Sequence, residues 1–254
     1  TPLYSSAASD VYKRQEYFMF AAKFHRQFQV NLIFWMKSLQ YIFTILISIL
    51  TMQLFAQQQA IKGLQEGDLL FQDLNCGELC DAIEAVTEGA NGQDFSHCAM
   101  VIRIGDSLQV VEAIGSKVQL NSIPKFFARS GDTLAIKNIV VGRVKQPYKE
   151  LIPQAAAHAK ALVGQPYDDS FLPNNNKWYC SEVLYEAFRK ASNTEFFELA
   201  PMTFKDPRTQ TYFPAWINYY RELNTEIPEA VPGLNPGSIS RSDKIEIIKI
   251  QFEN

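Results

Sequence analysis

A cysteine stands where a polar loop gives way to an amphipathic helix, in the segment NNNKWYCSEVLYEAFRK at positions 174–190. After Cys180 the apolar residues recur every three to four positions, which predicts one buried helical face. The asparagines and the lysine before it fit no packed element, so we expect Cys180 in the first helical turn. Unpaired backbone amides and the positive end of the helix dipole favour a thiolate there. The segment therefore offers a nucleophile that needs a base.

One of the three histidines is the best candidate for that base. His25 lies upstream of the expected start, and His158, in an alanine-rich helix, is assigned a surface or packing role. His97 opens a β-rich run, and the strand period puts His97, Ala99 and Val101 on one face. An imidazole there can take the proton of a thiol and return it to a leaving group.

A buried carboxylate is the candidate for orienting that imidazole. Glu112 lies inside the apolar run QVVEAIG on the next predicted strand. A carboxylate between apolar neighbours is costly to bury without a partner. If this strand pairs with that of His97, Glu112 can reach the imidazole and fix its tautomer. The alternative is an ordinary exposed position on an alternating strand.

The other three cysteines are expected to have structural roles. Neighbours on a strand point to opposite faces, so Cys98 is predicted to be a small buried apolar residue that does not work with His97. Cys76 and Cys80 can bridge in an oxidising compartment, although a bond within one helical turn is geometrically poor. They lack the further ligands of a zinc site. We expect structural or free thiols at both positions, no metal site and no cofactor.

The elements that carry these residues are strands first, with helices flanking them. The strands are predicted at 66–74, within 94–106, twice within 107–123, at 132–144 and at 244–252, and the helices at 75–89, at 151–168 and from Cys180 onward. Runs of neighbouring strands flanked by helices are typical of an α+β fold with a largely antiparallel sheet.

The amino-terminal quarter is predicted to lie outside the folded domain. Residues 1–35 show no pattern that continues into their surroundings and are interpreted as a non-native or upstream translated segment. Residues 36–56 have the layout of a signal peptide: a charge, an apolar stretch of about 15 residues and a small residue before cleavage near Ala56. That stretch is shorter than a spanning helix needs, so a retained anchor is the less favoured interpretation. Residues 57–254 are then one exported domain, periplasmic or extracellular, with no stable membrane span.

Charge and motifs exclude some partners. Residues 1–56 carry five of the 24 Lys and Arg and two of the 27 Asp and Glu, so the remainder has a formal net charge of −6. It shows no basic stripe and no nucleic-acid-binding motif, which argues against a nucleic-acid partner. A Walker loop, a dinucleotide glycine signature and internal repeats are also absent from the sequence.

Three segments resemble the permuted NlpC/P60 cysteine peptidases of the YiiX/YaeF type: EGDLLFQDL, FSHCAMVI and GQPYDDSFLPNNNKWYCSEVLYEAF. The similarity spans most of residues 61–190, and AVPGLNPGSISRS near the end also resembles the family. In the family the histidine precedes the cysteine in the chain, the reverse of ordinary papain-like enzymes. The YCSE element with GQPYD upstream is fairly specific, whereas an isolated SH is not.

The resemblance implies a circularly permuted papain-like fold with an antiparallel sheet packed on the cysteine helix. It implies Cys180 as nucleophile, His97 as base and, less securely, Glu112 as the residue that orients the imidazole. Backbone amides at the helix start, including that of Cys180, would hold the oxyanion. Tyr167 and Tyr179 flank the expected cleft as substrate contacts, or serve only in packing.

The implied activity is hydrolysis of an amide bond in cell-wall peptides, without a cofactor. Two alternatives stay open. An acyltransferase or lipid-acting hydrolase of the same clan would use the same site and would require a broad apolar cleft. A module that binds wall peptides without turnover would not need both a nucleophile and a base.

Overall fold

The computed structural model describes residues 35–37, 39–48, 63–130 and 139–248, which fall into two compact units. In the first unit, residues 35–37 and 39–48 are helical. None of the described helices has the length and apolar character needed to cross a membrane. Most of the predicted segment 1–35 and much of the predicted signal peptide at 36–56 lie outside the described residues, and both remain predictions.

The second unit, residues 63–248, is built on a six-stranded antiparallel sheet in the order β4-β3-β2-β1-β5-β8. Its strands are β1 Leu69–Gln72, β2 His97–Ile104, β3 Ser107–Ile114, β4 Lys117–Ser122, β5 Ile139–Val144 and β8 Ile245–Ile248. Strands β2, β3 and β4 follow one another through tight turns at Gly105 and Gly115, both with positive φ, which glycine adopts at little cost. The predicted strands are thus present, with narrower bounds at 66–74; parts of 132–144 and 244–252 lie outside the described residues.

Both faces of the central strands are buried. Cys98, Met100 and Ile102 of β2 contribute to the larger apolar cluster, which includes the helices, while Ala99 and Val101 join a smaller cluster on the opposite face. This two-sided burial explains why the sequence of β2 reads as a continuous apolar run rather than as an alternation. The central strands are therefore packed on both faces, and this packing holds the side chains that they carry in fixed positions.

Six α-helices accompany the sheet in this unit. They are α1 Glu78–Ala85, α2 Ile123–Phe127, α3 Ile152–Ala161, α4 Cys180–Ser192, α5 Pro214–Glu222 and α6 Pro236–Ser240. The two longest, α3 and α4, pack on the sheet through small and apolar residues such as Ala155, Ala159 and Leu184. Helix α3 has a proline in its first turn, where no amide partner is lost.

Cys76 and Cys80 form a disulfide, so the bridge that the sequence analysis left open, and considered less favourable than free thiols, is the one present. The helix predicted at 75–89 starts only at Glu78, and Asn75 and Gly77 adopt positive φ angles. Cys76 therefore precedes the helix and does not share a turn with Cys80. The Cα atoms are 5.3 Å apart, within the ordinary range for a disulfide.

Residues 200–240 fold against α4 and α1. A two-stranded ribbon pairs β6 Ala200–Pro201 with β7 Pro232–Gly233. An aromatic cluster around Trp216 and Tyr220 of α5 contacts α1 through Ala82. Helix α6 begins with a capping box between Asn235 and Ser238. These segments form one wall of the cavity described below.

Candidate active site

Cys180 is the first residue of α4, as the sequence predicts. The preceding residue, Tyr179, is the N-cap and provides no side-chain hydrogen bond to the first turn. The backbone amides of that turn therefore remain available, and the helix dipole places positive potential at the sulfur. Cys180 is 8% exposed, so its thiol is sheltered yet borders a cavity. This position suits a thiolate nucleophile.

The sheet brings Glu112 to His97. Strands β2 and β3 are antiparallel, with Met100 opposite Val111. Continuing this register places Glu112 on the same face as His97, diagonally across the two strands. Glu112 Oε2 lies 2.6 Å from His97 Nε2, and the Glu112 side chain is fully buried. The carboxylate fixes Nε2 as the protonated nitrogen, which leaves Nδ1 for the thiol.

Two further residues hold Glu112, and the sequence analysis missed both. Asn121 of β4 donates from Nδ2 to Oε1 at 2.8 Å, and Arg129 donates from Nη2 to the same oxygen at 2.6 Å. The Arg129 guanidinium also lies 5.2 Å from the centroid of the Phe126 ring, which in turn packs against the His97 ring. The sequence offers only weak signals for them: an asparagine in the alternating strand KVQLNS and an arginine in the helical turn that follows α2.

Cys98 is buried, as predicted, but it also lies beside the start of α4, which the sequence analysis did not foresee. Its Sγ lies 3.4 Å from the Oγ of Ser181, the residue that follows Cys180, and hydrogen bonding from Cys98 is the largest cause of the lowered pKa of Cys180. Strand alternation does point Cys98 away from His97. That direction, however, leads to the face on which α4 packs, so Cys98 reaches the start of the helix.

The electrostatics favour an ion pair between Cys180 and His97. The hydrogen bond from Cys98 lowers the pKa of Cys180; burial opposes this, but His97 adds to the lowering, and the pKa falls well below its ordinary value. Burial lowers the pKa of His97, but hydrogen bonds with Cys180 and Glu112 outweigh it and raise that pKa to about 9.

The neighbours of the pair keep their ordinary charge states. Burial raises the pKa of Glu112, yet His97 and Arg129 together leave it lowered. Burial raises the pKa of Cys98 well above that of a free thiol, so Cys98 stays protonated and donates to the thiolate. At neutral pH the site then contains thiolate, imidazolium, carboxylate and guanidinium, whose charges sum to zero. Such compensation allows four charged groups to share a buried site.

A cavity of about 230 Å³ borders Cys180. Tyr167 and Tyr179 both line it, so the structure places them beside the candidate nucleophile. Tyr179 Oη accepts from the Leu234 amide at 3.4 Å, which ties the cavity wall to the carboxyl-terminal part of the domain. Much of the remaining lining is apolar and comes from α1, α5 and the ribbon: Ile83, Val86, Met202, Phe204, Trp216 and Leu234.

The remaining candidates lie elsewhere. His158 is partly exposed on α3, in keeping with the packing role assigned to it. Within residues 63–130 and 139–248, as in the described helical residues before them, no three His, Cys, Asp or Glu side chains group in a way that could hold a metal ion.

A cysteine at a helix start, facing a histidine on an antiparallel sheet, defines the class of papain-like folds, here with the histidine first in the chain. The sequence profile of one family, described as "Permuted papain-like amidase enzyme, YaeF/YiiX, C92 family", matches residues 63–249. The chain belongs to this family, and the resemblance seen in the sequence is confirmed.

Two relatives from Escherichia coli agree with this assignment. The uncharacterized protein YiiX of strain K12 is 28% identical over 127 residues, which cover 50% of this chain and 58% of that protein. The crystal structure of YiiX from strain O157:H7, described as a metalloprotein, has a TM-score of 0.59 at 23% identity. It covers 74% of this chain and 97% of the solved one. The α+β, permuted papain-like fold is thereby established.

Proposed function

We propose that this chain is a cysteine hydrolase that cleaves an amide bond, with Cys180 as nucleophile, His97 as base and acid, and Glu112 as the residue that positions His97. The geometry is what supports the proposal most strongly: Cys180 begins α4, and Glu112 Oε2 lies 2.6 Å from His97 Nε2. The lowered pKa of Cys180 and the raised pKa of His97 agree with it. A binding module without turnover does not require these buried charged groups, whose burial costs stability.

The reaction follows from the charges in the site. The Cys180 thiolate attacks the amide carbonyl, and the oxyanion is stabilised by backbone amides at the start of α4, including that of Cys180. The His97 imidazolium gives its proton to the amine nitrogen as the C–N bond breaks, leaving a thioester. His97, now neutral, takes a proton from water, which attacks the thioester and releases the acid. The thiolate and imidazolium are thereby restored, and one water has been consumed per amide cleaved.

The proposed substrate is an amide bond in a cell-wall peptide, reached after export. Two observations support export. The apolar stretch in the segment 36–56 has the length of a signal peptide rather than of a membrane span. The Cys76–Cys80 disulfide belongs to an oxidising compartment such as the periplasm or the extracellular space.

The apolar cavity favours a second candidate with the same nucleophile. A thioester on Cys180 can pass its acyl group to an alcohol or amine, or the enzyme can hydrolyse a lipid amide or ester. The side chains of Ile83, Met202 and Trp216 offer such an acyl group an apolar lining. A wall peptide, which is mostly polar, gains less from this lining.

The YiiX crystal structure is described as that of a metalloprotein, which raises the question of whether the donor groups of this chain fit a metal ion. The candidate site offers Cys180, Cys98, His97 and Glu112, and among the described residues no three such groups are arranged to hold a metal ion. His97 and Glu112 bond to each other, and Arg129 occupies the carboxylate. A cation beside Arg129 would meet electrostatic repulsion. The described donors do not fit a metal ion, and we derive no step through one.

Turnover of defined amides tests the proposal. Purified protein is incubated with muropeptide digests and, separately, with N-acyl amides of increasing chain length, and the new amines are measured by mass spectrometry. We expect amine release from at least one set, lost in Cys180→Ala. A Glu186→Gln variant serves as control, because Glu186 lies on the same helix and pairs with Arg189 rather than with His97. Release that persists in Cys180→Ala would refute the assigned nucleophile.

A further inference from the structure

Arg241 stands at the boundary between the cavity that contains Cys180 and a second, more polar groove. The residue follows α6 directly, and its side chain is exposed. It lines the 230 Å³ cavity together with Ser238 and Ala200. The same three residues also line the adjoining groove of about 480 Å³, which Cys180 does not border.

The Arg241 guanidinium has no partner among the described residues. Arg129, Arg143, Arg189, Arg208 and Arg221 each donate to an acidic or amide side chain. Arg241 donates only from its backbone amide, to Gly237 and Ser238. Acidic groups are close in the groove, at Glu198 and Asp243, yet neither forms an ion pair with Arg241, and Asp243 pairs with Lys244 instead.

A largely apolar cavity that is lined by a nucleophile and an unpaired guanidinium suits a substrate with an apolar part and an anionic group. We propose that Arg241 binds an anionic group, a carboxylate or a phosphate, carried by the apolar acyl part of the substrate whose carbonyl meets Cys180. This inference rests on the proposed function and specifies its substrate class. Guanidinium suits such groups because its planar fork donates two parallel hydrogen bonds.

The volume of the cavity sets the size of the acyl part. A cavity of about 150 Å³ holds a benzene ring, so a volume of about 230 Å³ accommodates roughly nine carbon atoms by proportion. Since Cys180 and Arg241 both line the cavity, a substrate whose apolar body fills it would have its carbonyl near one and its anionic end near the other. A long lipid chain would exceed this volume and extend into the groove.

The test measures how well small amides protect Cys180 from alkylation, so that it does not depend on turnover. The probes are monoamides of dicarboxylic acids with six, eight and ten carbons, the matching neutral alkanamides, and phosphonate analogues of the same lengths. Each is titrated against iodoacetamide labelling of Cys180, read by peptide mass spectrometry. The variants are Arg241→Gln and, as matched control, Arg103→Gln. Arg103 is also exposed and without a side-chain partner among the described residues, and it lies on β2 six residues from His97.

We expect the anionic probe of the best length to protect at about a tenfold lower concentration than its neutral counterpart. Arg241→Gln should abolish that preference and Arg103→Gln should keep it. A stronger effect of the phosphonate series indicates a phosphate ester as the natural group, and a stronger effect of the carboxylates indicates an acidic acyl group; either supports the proposal. Equal protection by neutral and anionic probes at all lengths, or a preference that survives in Arg241→Gln, overturns it. Wild-type protein that is protected in this way but releases no amine would instead refute the proposed amidase alone.

Discussion

Replacing Glu112 by glutamine should move the alkaline limit of the reaction. The change keeps the shape of the side chain and an oxygen acceptor for His97, but removes the charge that stabilises the imidazolium. Hydrogen bonds to charged groups contribute about 1.5–3 kcal/mol, and 1.36 kcal/mol corresponds to one pKa unit. The pKa of His97, raised to about 9 in the intact site, should then fall to between about 7 and 8. Arg129, no longer compensated, disfavours the imidazolium further.

The assay is the pH dependence of kcat/KM on whichever amide the protein cleaves. Its acid limb should report formation of the Cys180 thiolate and its alkaline limb loss of the His97 proton. Glu112→Gln should bring the alkaline limb down by one pH unit or more, while Glu186→Gln leaves it in place. An unchanged alkaline limb in Glu112→Gln would refute the assigned role of the carboxylate, even if the overall rate fell.

Three further predictions concern Cys98, Glu182 and the disulfide. Cys98→Ala removes a hydrogen-bond donor to the thiolate, so alkylation of Cys180 should require a pH about one unit higher than in the wild type. Cys98→Ser retains a donor and should leave the pH dependence close to that of the wild type. Identical profiles for Cys98→Ala and the wild type would contradict the role of Cys98. Burial raises the pKa of Glu182 from 4.5 to about 8, so the folded state loses stability as the pH rises from 4.5 to about 8. Glu182→Gln should therefore raise the unfolding free energy by roughly 4 kcal/mol at about pH 8 and by little at about pH 4.5. Denaturant titrations at both pH values measure the difference, and an equal effect at the two pH values would contradict the prediction. Replacing Cys76 and Cys80 by serine should cost about 2 kcal/mol of stability without changing the alkylation profile, and a changed profile would contradict the separation of disulfide and site.

The sequence carried enough information for the parts of the site that depend on local pattern. The helical period after Cys180 fixes where α4 begins, and a carboxylate in the apolar run of β3 already required a partner. His97 and Glu112 lie on adjacent strands joined by a tight turn, so their pairing follows from the register of one hairpin. The order of histidine and cysteine, with the YCSE element, was sufficient to indicate the permuted family.

The parts that the sequence did not reveal depend on long-range packing. Arg129 reaches Glu112 because α2 folds back over the face of the sheet that carries Ala99 and Val101, and no local pattern encodes that direction. The position of Cys98 beside the candidate nucleophile was missed for a different reason. The alternation rule was correct, but the face it assigned to Cys98 is the one that receives α4. The cavity wall formed by the carboxyl-terminal ribbon likewise depends on how that segment packs, as in the contact between Tyr179 and Leu234.

The proposed mechanism requires an ion pair between Cys180 and His97, and the pH dependence of alkylation tests this pair most directly. Iodoacetamide labelling of each cysteine is followed by peptide mass spectrometry from acidic to alkaline pH, in the wild type and in His97→Ala. We predict rapid labelling of Cys180 at pH values well below the pKa of ~8.5 of a free thiol, and loss of this reactivity in His97→Ala. A Cys180 that is labelled like a free thiol in both proteins would contradict it.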